Sequence, residues 1–124
     1  MKNIKTNIVA NTDDISLAIE SLQKCIIKLV LVAKDNKLIG TITDGDIRRA
    51  LLNGKNLQTK CKDIMNVDPK CALVNDYKNI NKLLISYRYI PLVDSDKNIV
   101  DIIINEDNQQ NYSLTNTVII MAGG

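Results

Sequence analysis

The stretch Leu29-Val30-Leu31-Val32-Ala33-Lys34-Asp35-Asn36-Lys37-Leu38-Ile39-Gly40-Thr41-Ile42-Thr43-Asp44-Gly45-Asp46 aligns without a gap to Ile90–Asp107, at an offset of 61 residues. Few residues are identical, yet the apolar positions coincide: Leu31-Val32 falls on Leu92-Val93, Asp35 on Asp96 and Asp46 on Asp107. Working outward, Ile19 falls on Ile80 and Leu22 on Leu83. Self-similarity at this spacing means one supersecondary unit used twice.

Each unit reads as β-α-β-β-α. In the first, Ile8-Val9 is a short strand and Thr12 is placed to cap the helix that follows. Ile15, Ala18, Ile19 and Leu22 recur at helical spacing and form one apolar face. Leu29–Ala33 and Leu38–Thr43 are strands joined by the turn Lys34-Asp35-Asn36-Lys37, short enough for a hairpin. A second helix starts after Asp44 with Ile47, Ala50 and Leu51 inward, and Asn53-Gly54 stops it. The second copy has the strand Ala72–Val74, a cap at Asn75 or Asp76, and a helix face of Ile80, Leu83, Leu84 and Tyr87. Its hairpin pairs Ile90–Val93 with Ile99–Ile104, and the polar stretch Asn105–Asn116 reads as a frayed helix or linker. The expected fold is α/β (α+β), with two such repeats packed sheet to sheet about a pseudo-two-fold axis. Residues 1–60 form the first repeat and 61–110 the second. Residues 111–117 are a linker, and 118–124 open a further domain.

Composition narrows the function classes. The 124 residues are 45% hydrophobic and 24% charged with a net charge of +2, as in an ordinary globular domain. That balance argues against a nucleic-acid or membrane platform, which needs clustered positive charge. No apolar run approaches the ~18 residues of a membrane span and no signal peptide opens the chain, so a cytoplasmic location is expected. The chain has no His, no Trp and no Phe. The commonest neutral-pH base and metal ligand is therefore missing, and stacking platforms are poorly supplied. Cys25, Cys61 and Cys71 form no CxxC pair and read as buried structural thiols, with neither disulfide nor metal implied.

The stretch Gly40–Arg49 carries the chemistry. It joins a buried strand to a helix start, where open backbone N–H groups together with the Thr43 hydroxyl can hold a phosphate. Alternation puts Thr41 and Thr43 on one face of the strand and Ile42 on the other. Asp46 offers acceptor oxygens suited to vicinal ribose hydroxyls, and Arg48 and Arg49 add charge-assisted donors. Glycines at 40 and 45 permit close approach of backbone and ligand. A capped helix with solvated arginines is the alternative reading of the same residues.

The repeated unit and Gly40–Arg49 resemble a tandem pair of CBS domains, the adenosine-nucleotide-sensing Bateman module. The resemblance covers roughly residues 1–110 and rests on Gly40, Thr43 and Asp46 as G-x-x-T-x-x-D. It extends to Lys62-Asp63-Ile64-Met65 as the lead-in to the second copy and to Arg88-Tyr89-Ile90-Pro91-Leu92-Val93 as an R-x-x-P-h-V strand. It implies that Thr43 and Asp46 hold phosphate and ribose, with Gly40, Thr41, Ile42, Arg48 and Arg49 beside them. Thr12, Ala18, Ile27, Lys28 and Leu29 would wall the base. The second copy has Asp101 for Gly40 and Ile104 for Thr43, so only a weak site is expected there, with Asp107 and Arg88.

Val118-Ile119-Ile120-Met121-Ala122-Gly123-Gly124 resembles the opening of sugar nucleotidyltransferases. The expectation is therefore a non-catalytic regulatory pair that binds AMP, ADP or ATP, needs no cofactor, forms a homodimer and controls an attached nucleotidyltransferase. The alternative is a dimerisation scaffold without a small ligand. A third reading takes Asp44-Gly45-Asp46 as the D-x-D of a metal-dependent transferase. That pattern is short, and no second acidic or lysine motif accompanies it.

Overall fold

The computed structural model describes residues 4–105. Asp107, the expected linker and the Val118–Gly124 segment lie outside the described residues, as does the stretch after Asn105 read as a frayed helix. In chain order the elements are a 3-10 turn (Ile4–Asn7), β1 (Ile8–Ala10), α1 (Ile15–Lys24), β2 (Val30–Lys34), β3 (Lys37–Ile42) and α2 (Asp44–Leu52). A second 3-10 turn (Cys61–Asp63) precedes β4 (Ala72–Leu73), α3 (Tyr77–Ser86), β5 (Tyr89–Val93) and β6 (Ile99–Ile104). The strands form two three-stranded sheets, β1-β2-β3 and β4-β5-β6. In each, the first two strands are parallel and the last two antiparallel. A parallel pair needs a crossover, and the helix between its strands supplies it.

The first hairpin closes through Asp35 and Asn36, at φ 54° and 67°. Both sit in the left-handed region that a two-residue hairpin turn requires, and Asp and Asn tolerate it. The second hairpin has a longer turn. There the Asp94 carboxylate accepts the backbone N–H groups of Asp96 and Asn98, each at 2.9 Å, and Lys97 takes the left-handed φ of 71°.

Helix α1 buries Ile15, Ala18 and Leu22 as the spacing predicts. Its N-cap is Asp14 rather than Thr12, which is exposed and outside the helix. The cause lies in the connector between repeats. Ile15 N donates to Thr59 O at 2.8 Å, Cys61 N to Asp13 O at 2.8 Å and Lys62 N to Asn11 O at 3.1 Å. Asp14 is thereby held in an isolated bridge with Lys60, after a turn over residues 11–13, before the helix can begin. Asp76, by contrast, caps α3 by accepting from Asn79 N. Helix α2 buries Ile47 and Ala50, while Leu51, expected inward, is 43% exposed. The chain turns back immediately after the helix, with Gly54 at φ 92° and Lys55 N bonded to Ala50 O, and Leu51 stays partly exposed. Of the three thiols only Cys61 is buried, and Cys25 and Cys71 are half-buried.

Among the described residues, three apolar clusters form the core. One lies between the first sheet and its helices, around Ile15, Val30, Val32, Ile42 and Cys61. A smaller one repeats it around Ile80 and Ile90. The third joins the sheets face to face, with Ile27, Leu29, Leu31 and Leu38 from the first repeat against Val93 and Ile102 from the second. The hairpin ends also exchange hydrogen bonds. Leu38 N donates to Lys97 O and Ile99 N to Asn36 O, each at 3.0 Å. At an offset of 61 these two bonds are each other's counterparts, and Lys37 bridges Asn98, its own counterpart. A residue meeting its own counterpart marks a two-fold axis.

Candidate functional site

The start of α2 is built around a reciprocal cap. The Asp46 carboxylate accepts from the Thr43 backbone N–H at 2.9 Å and from the Thr43 hydroxyl at 3.0 Å, both through Oδ2. The Thr43 hydroxyl oxygen accepts the Asp46 backbone N–H at 3.3 Å. This is a capping box with Asp in the third helical position. Asp46 Oδ1 accepts from Arg49, and Arg48 pairs with Asp44 at 3.1 Å. The two carboxylates of Asp44-Gly45-Asp46 thus serve different arginines. The cap leaves Asp44 and Gly45 with the open N–H groups of the first turn. The Asp46 side chain is only 15% exposed, while both arginines are mostly exposed.

Gly40 and Thr41 answer to packing. A Cβ at Gly40 would lie 2.5 Å from Met65 Sδ and 2.9 Å from the Asn66 carbonyl oxygen. Thr41 exchanges backbone bonds with Asn66, at 3.1 and 2.8 Å. The lead-in to the second copy therefore runs along β3, and the missing side chain of Gly40 makes room for it. Gly45 is different, since a Cβ there would meet only ordinary contacts. Thr41 pairs with Leu31 on the face turned toward the other sheet and is 6% exposed, whereas Thr43 is exposed. Ile42 is wholly buried in the first core.

The five expected base-wall residues do not come together. Ala18 is fully buried among the helix-side core residues. Ile27 and Leu29 belong to the intersheet cluster. Thr12 is exposed, and the Lys28 ammonium folds back to Leu22 O at 2.7 Å, at the C-terminal end of α1. A cavity of about 740 Å³ does open beside α1, lined by Asn7, Asp13, Leu17, Ser21, Ile26 and Ile27 among others. Among the described residues, Ile104 lines it from the second repeat, at the counterpart position of Thr43. Thr43 and Asp46 are not part of it. A smaller hollow of about 200 Å³ lies against Asp46, Arg49, Asn53 and Lys55. Sequence reasoning grouped residues by repeat, and the packing of one sheet on the other regroups them across repeats. Asn7 was missed; its signal was its place directly before the apolar strand Ile8-Val9.

Arg88 stacks its guanidinium 5.7 Å from the Tyr89 ring centroid. Its backbone carbonyl accepts Asn105 N at 2.7 Å. Burial, helped by the nearby charges of Asp13 and Asp14, pushes the Cys61 thiol up to about 11. Cys61 is thus a core group and not a nucleophile.

The first repeat, from the turn before β1 to the C-cap of α2, is the part of the chain that a known family matches. Residues 6–53 match the CBS domain. The CBS-like fold extends further along the chain. The CbpB protein of Listeria monocytogenes superposes with a TM-score of 0.68 at 25% identity, over 84% of this chain and 88% of that one. The same protein in complex with c-di-AMP gives 0.67 at 26% identity, over 84% of each chain. A CBS domain protein of Pyrobaculum aerophilum complexed with AMP gives 0.67 at 15% identity, over 84% and 82%. Coverage of this extent takes in both sheets, so the two-repeat α+β architecture is that of CBS-domain structures. An uncharacterized protein of Helicobacter pylori is 37% identical over 67 residues, 54% of this chain. That match spans about a fifth of the relative's own length.

Proposed function

We propose that this chain is a regulatory module that binds an adenine nucleotide and controls an attached sugar-phosphate nucleotidyltransferase. The observation that carries the ligand class is the likeness to CbpB in complex with c-di-AMP, at 26% identity over most of both chains. The preformed cap supports Thr43 and Asp46 as the contact point. The open N–H groups of Asp44 and Gly45 suit phosphate, and Asp46 Oδ1 keeps a lone pair for a ribose hydroxyl. Gly40, Thr41 and Ile42 shape this site from behind, and Arg48 and Arg49 supply charge at its rim. The two-fold relation supports a further partner. Ile27 and Ile104 line one cavity, so their counterparts, Arg88 and Thr43, are expected to face the same ligand. The reading of a nucleotidyltransferase partner rests on the Val118–Gly124 string and on relatives several times longer than the matched stretch.

Homodimerisation belongs to the same proposal and is favoured by exposed apolar side chains such as Leu51 and Leu52 on α2. A scaffold that dimerises and binds no small molecule is the competing reading. The deciding experiment is a thermal-shift titration with AMP, ADP, ATP and c-di-AMP, on the native chain and on Asp46→Ala. Ligand at 100 times its dissociation constant adds about 2.7 kcal/mol to the folded state. A saturable rise lost in an Asp46→Ala protein that still dimerises supports the sensor. No rise with any nucleotide leaves the scaffold.

A further inference from the structure

Asn53-Gly54 is the one place in the sequence where glycine follows asparagine. Asparagine is a thermolabile residue, and a following glycine offers its side chain the least hindered backbone nitrogen. The surroundings leave room for the two to react. Asn53 and Gly54 are exposed, and a Cβ at Gly54 would meet nothing within 4 Å. Among the described residues no hydrogen bond holds the Asn53 carboxamide, so it is free to turn toward the backbone.

The backbone opposes the reaction. Asn53 caps the C-terminus of α2 at ψ 13°, which turns the Gly54 nitrogen away from the Asn53 side chain. The Gly54 N–H donates to Leu51 O at 3.1 Å, and the Lys55 N–H to Ala50 O at 3.0 Å. The hydrogen that must leave Gly54 is therefore engaged, and the last turn has to open first. Helix ends open at low cost in free energy. We propose that Asn53 is a deamidation site gated by the C-cap of α2. Once the cap opens, the Gly54 nitrogen bonds to Asn53 Cγ, and the carboxamide nitrogen leaves as ammonia with the Gly54 proton. Water then opens the five-membered ring at either carbonyl, giving aspartate or isoaspartate. Both products put a carboxylate into the smaller hollow that Asp46, Arg49 and Lys55 also line, at the negative end of the α2 dipole. Isoaspartate also adds a carbon to the backbone inside the turn that Lys55 and Ala50 close. The reaction needs no bound nucleotide and does not rest on one binding at Thr43.

Incubation of the full chain at mildly alkaline pH, folded and in urea, tests this. The tryptic peptide Ala50–Lys55 holds Asn53 as its one asparagine, so a gain of one mass unit there reports the site. Enzymatic methylation reports isoaspartate over the whole chain. In urea, Asn53 should react ahead of every other asparagine. In the folded chain it should react at least about tenfold more slowly, the factor equal to an opening cost of about 1.4 kcal/mol. Asn53→Gln should remove most of the isoaspartate formed in urea, a readout that does not require the variant to fold. Equal rates in the folded and unfolded chains would overturn the gating. Another asparagine reacting first in urea, or an undiminished isoaspartate yield from Asn53→Gln, would overturn the site itself.

Discussion

Replacing Gly40 with alanine separates two reasons for a glycine at that position. If the glycine lets a ligand approach, the ligand-free protein should tolerate a methyl group. If it accommodates the chain that leads into the second repeat, the ligand-free protein should lose stability. The built Cβ lies 2.5 Å from Met65 Sδ, 2.8 Å from Met65 Cγ and 2.9 Å from Asn66 O. The first two can retreat by a rotamer change. The third is a backbone atom locked to Thr41 by paired hydrogen bonds and cannot retreat without breaking them. Overpacking of this kind costs about 1–3 kcal/mol, and alanine in a strand recovers about 0.5–1 kcal/mol over glycine. The net expectation is a loss of about 1–2 kcal/mol, or a fall in Tm of roughly 4–8 °C for a domain of this size. Urea and thermal unfolding without ligand measure it. Met65→Ala in the same chain should restore part of the loss, leaving the share due to Asn66 O. A Gly40→Ala protein within about 0.5 kcal/mol of the native chain, well inside the scatter of ordinary surface changes, would refute the packing account.

Thr43→Ala removes the cap of α2 and should cost about 1 kcal/mol, whereas Thr43→Ser should cost little, both read from urea midpoints. Ile102→Ala opens a hole between the sheets where the side chain is fully buried, and should cost about 2–5 kcal/mol in the same assay. The Cys61 thiol, raised to about 11 by burial and the nearby Asp13 and Asp14 charges, makes stability fall as pH rises. Between about pH 9 and 11 the unfolded chain releases this proton and the folded chain retains it. Melting midpoints across that range should decline more steeply for the native chain than for Cys61→Ala, and parallel curves would contradict the assignment.

The repeat, the hairpins and the capping motif were legible because each rests on local signals. Asp35-Asn36 names its turn, Ile15, Ala18 and Leu22 name a helix face, and Thr43 with Asp46 is a cap before it is anything else. The start of α1 was not legible, because backbone bonds from residues 59–62 decide it, and nothing in Thr12 or Asp14 announces a partner more than 40 positions away. The base wall was grouped from the family resemblance, and its members sit in different surroundings: the helix-side core takes Ala18 and the intersheet core takes Ile27 and Leu29. The axis that brings Ile104 to Ile27 leaves no mark on either residue.

Lys37 bridging Asn98 has a consequence for what one linked chain can do that two identical half-chains cannot. In a symmetric pair, a residue on the axis faces a copy of itself, and position 37 would oppose lysine to lysine. Here the Lys37 ammonium instead donates to Asp96 O at 2.9 Å, across the junction. Covalent linkage releases each half from serving as its own partner. The same freedom lets one half keep threonine at the cap after its last strand while the other carries isoleucine at the matching position. Division of labour between the halves is thus a property of the linkage, available at every pair of positions the axis relates.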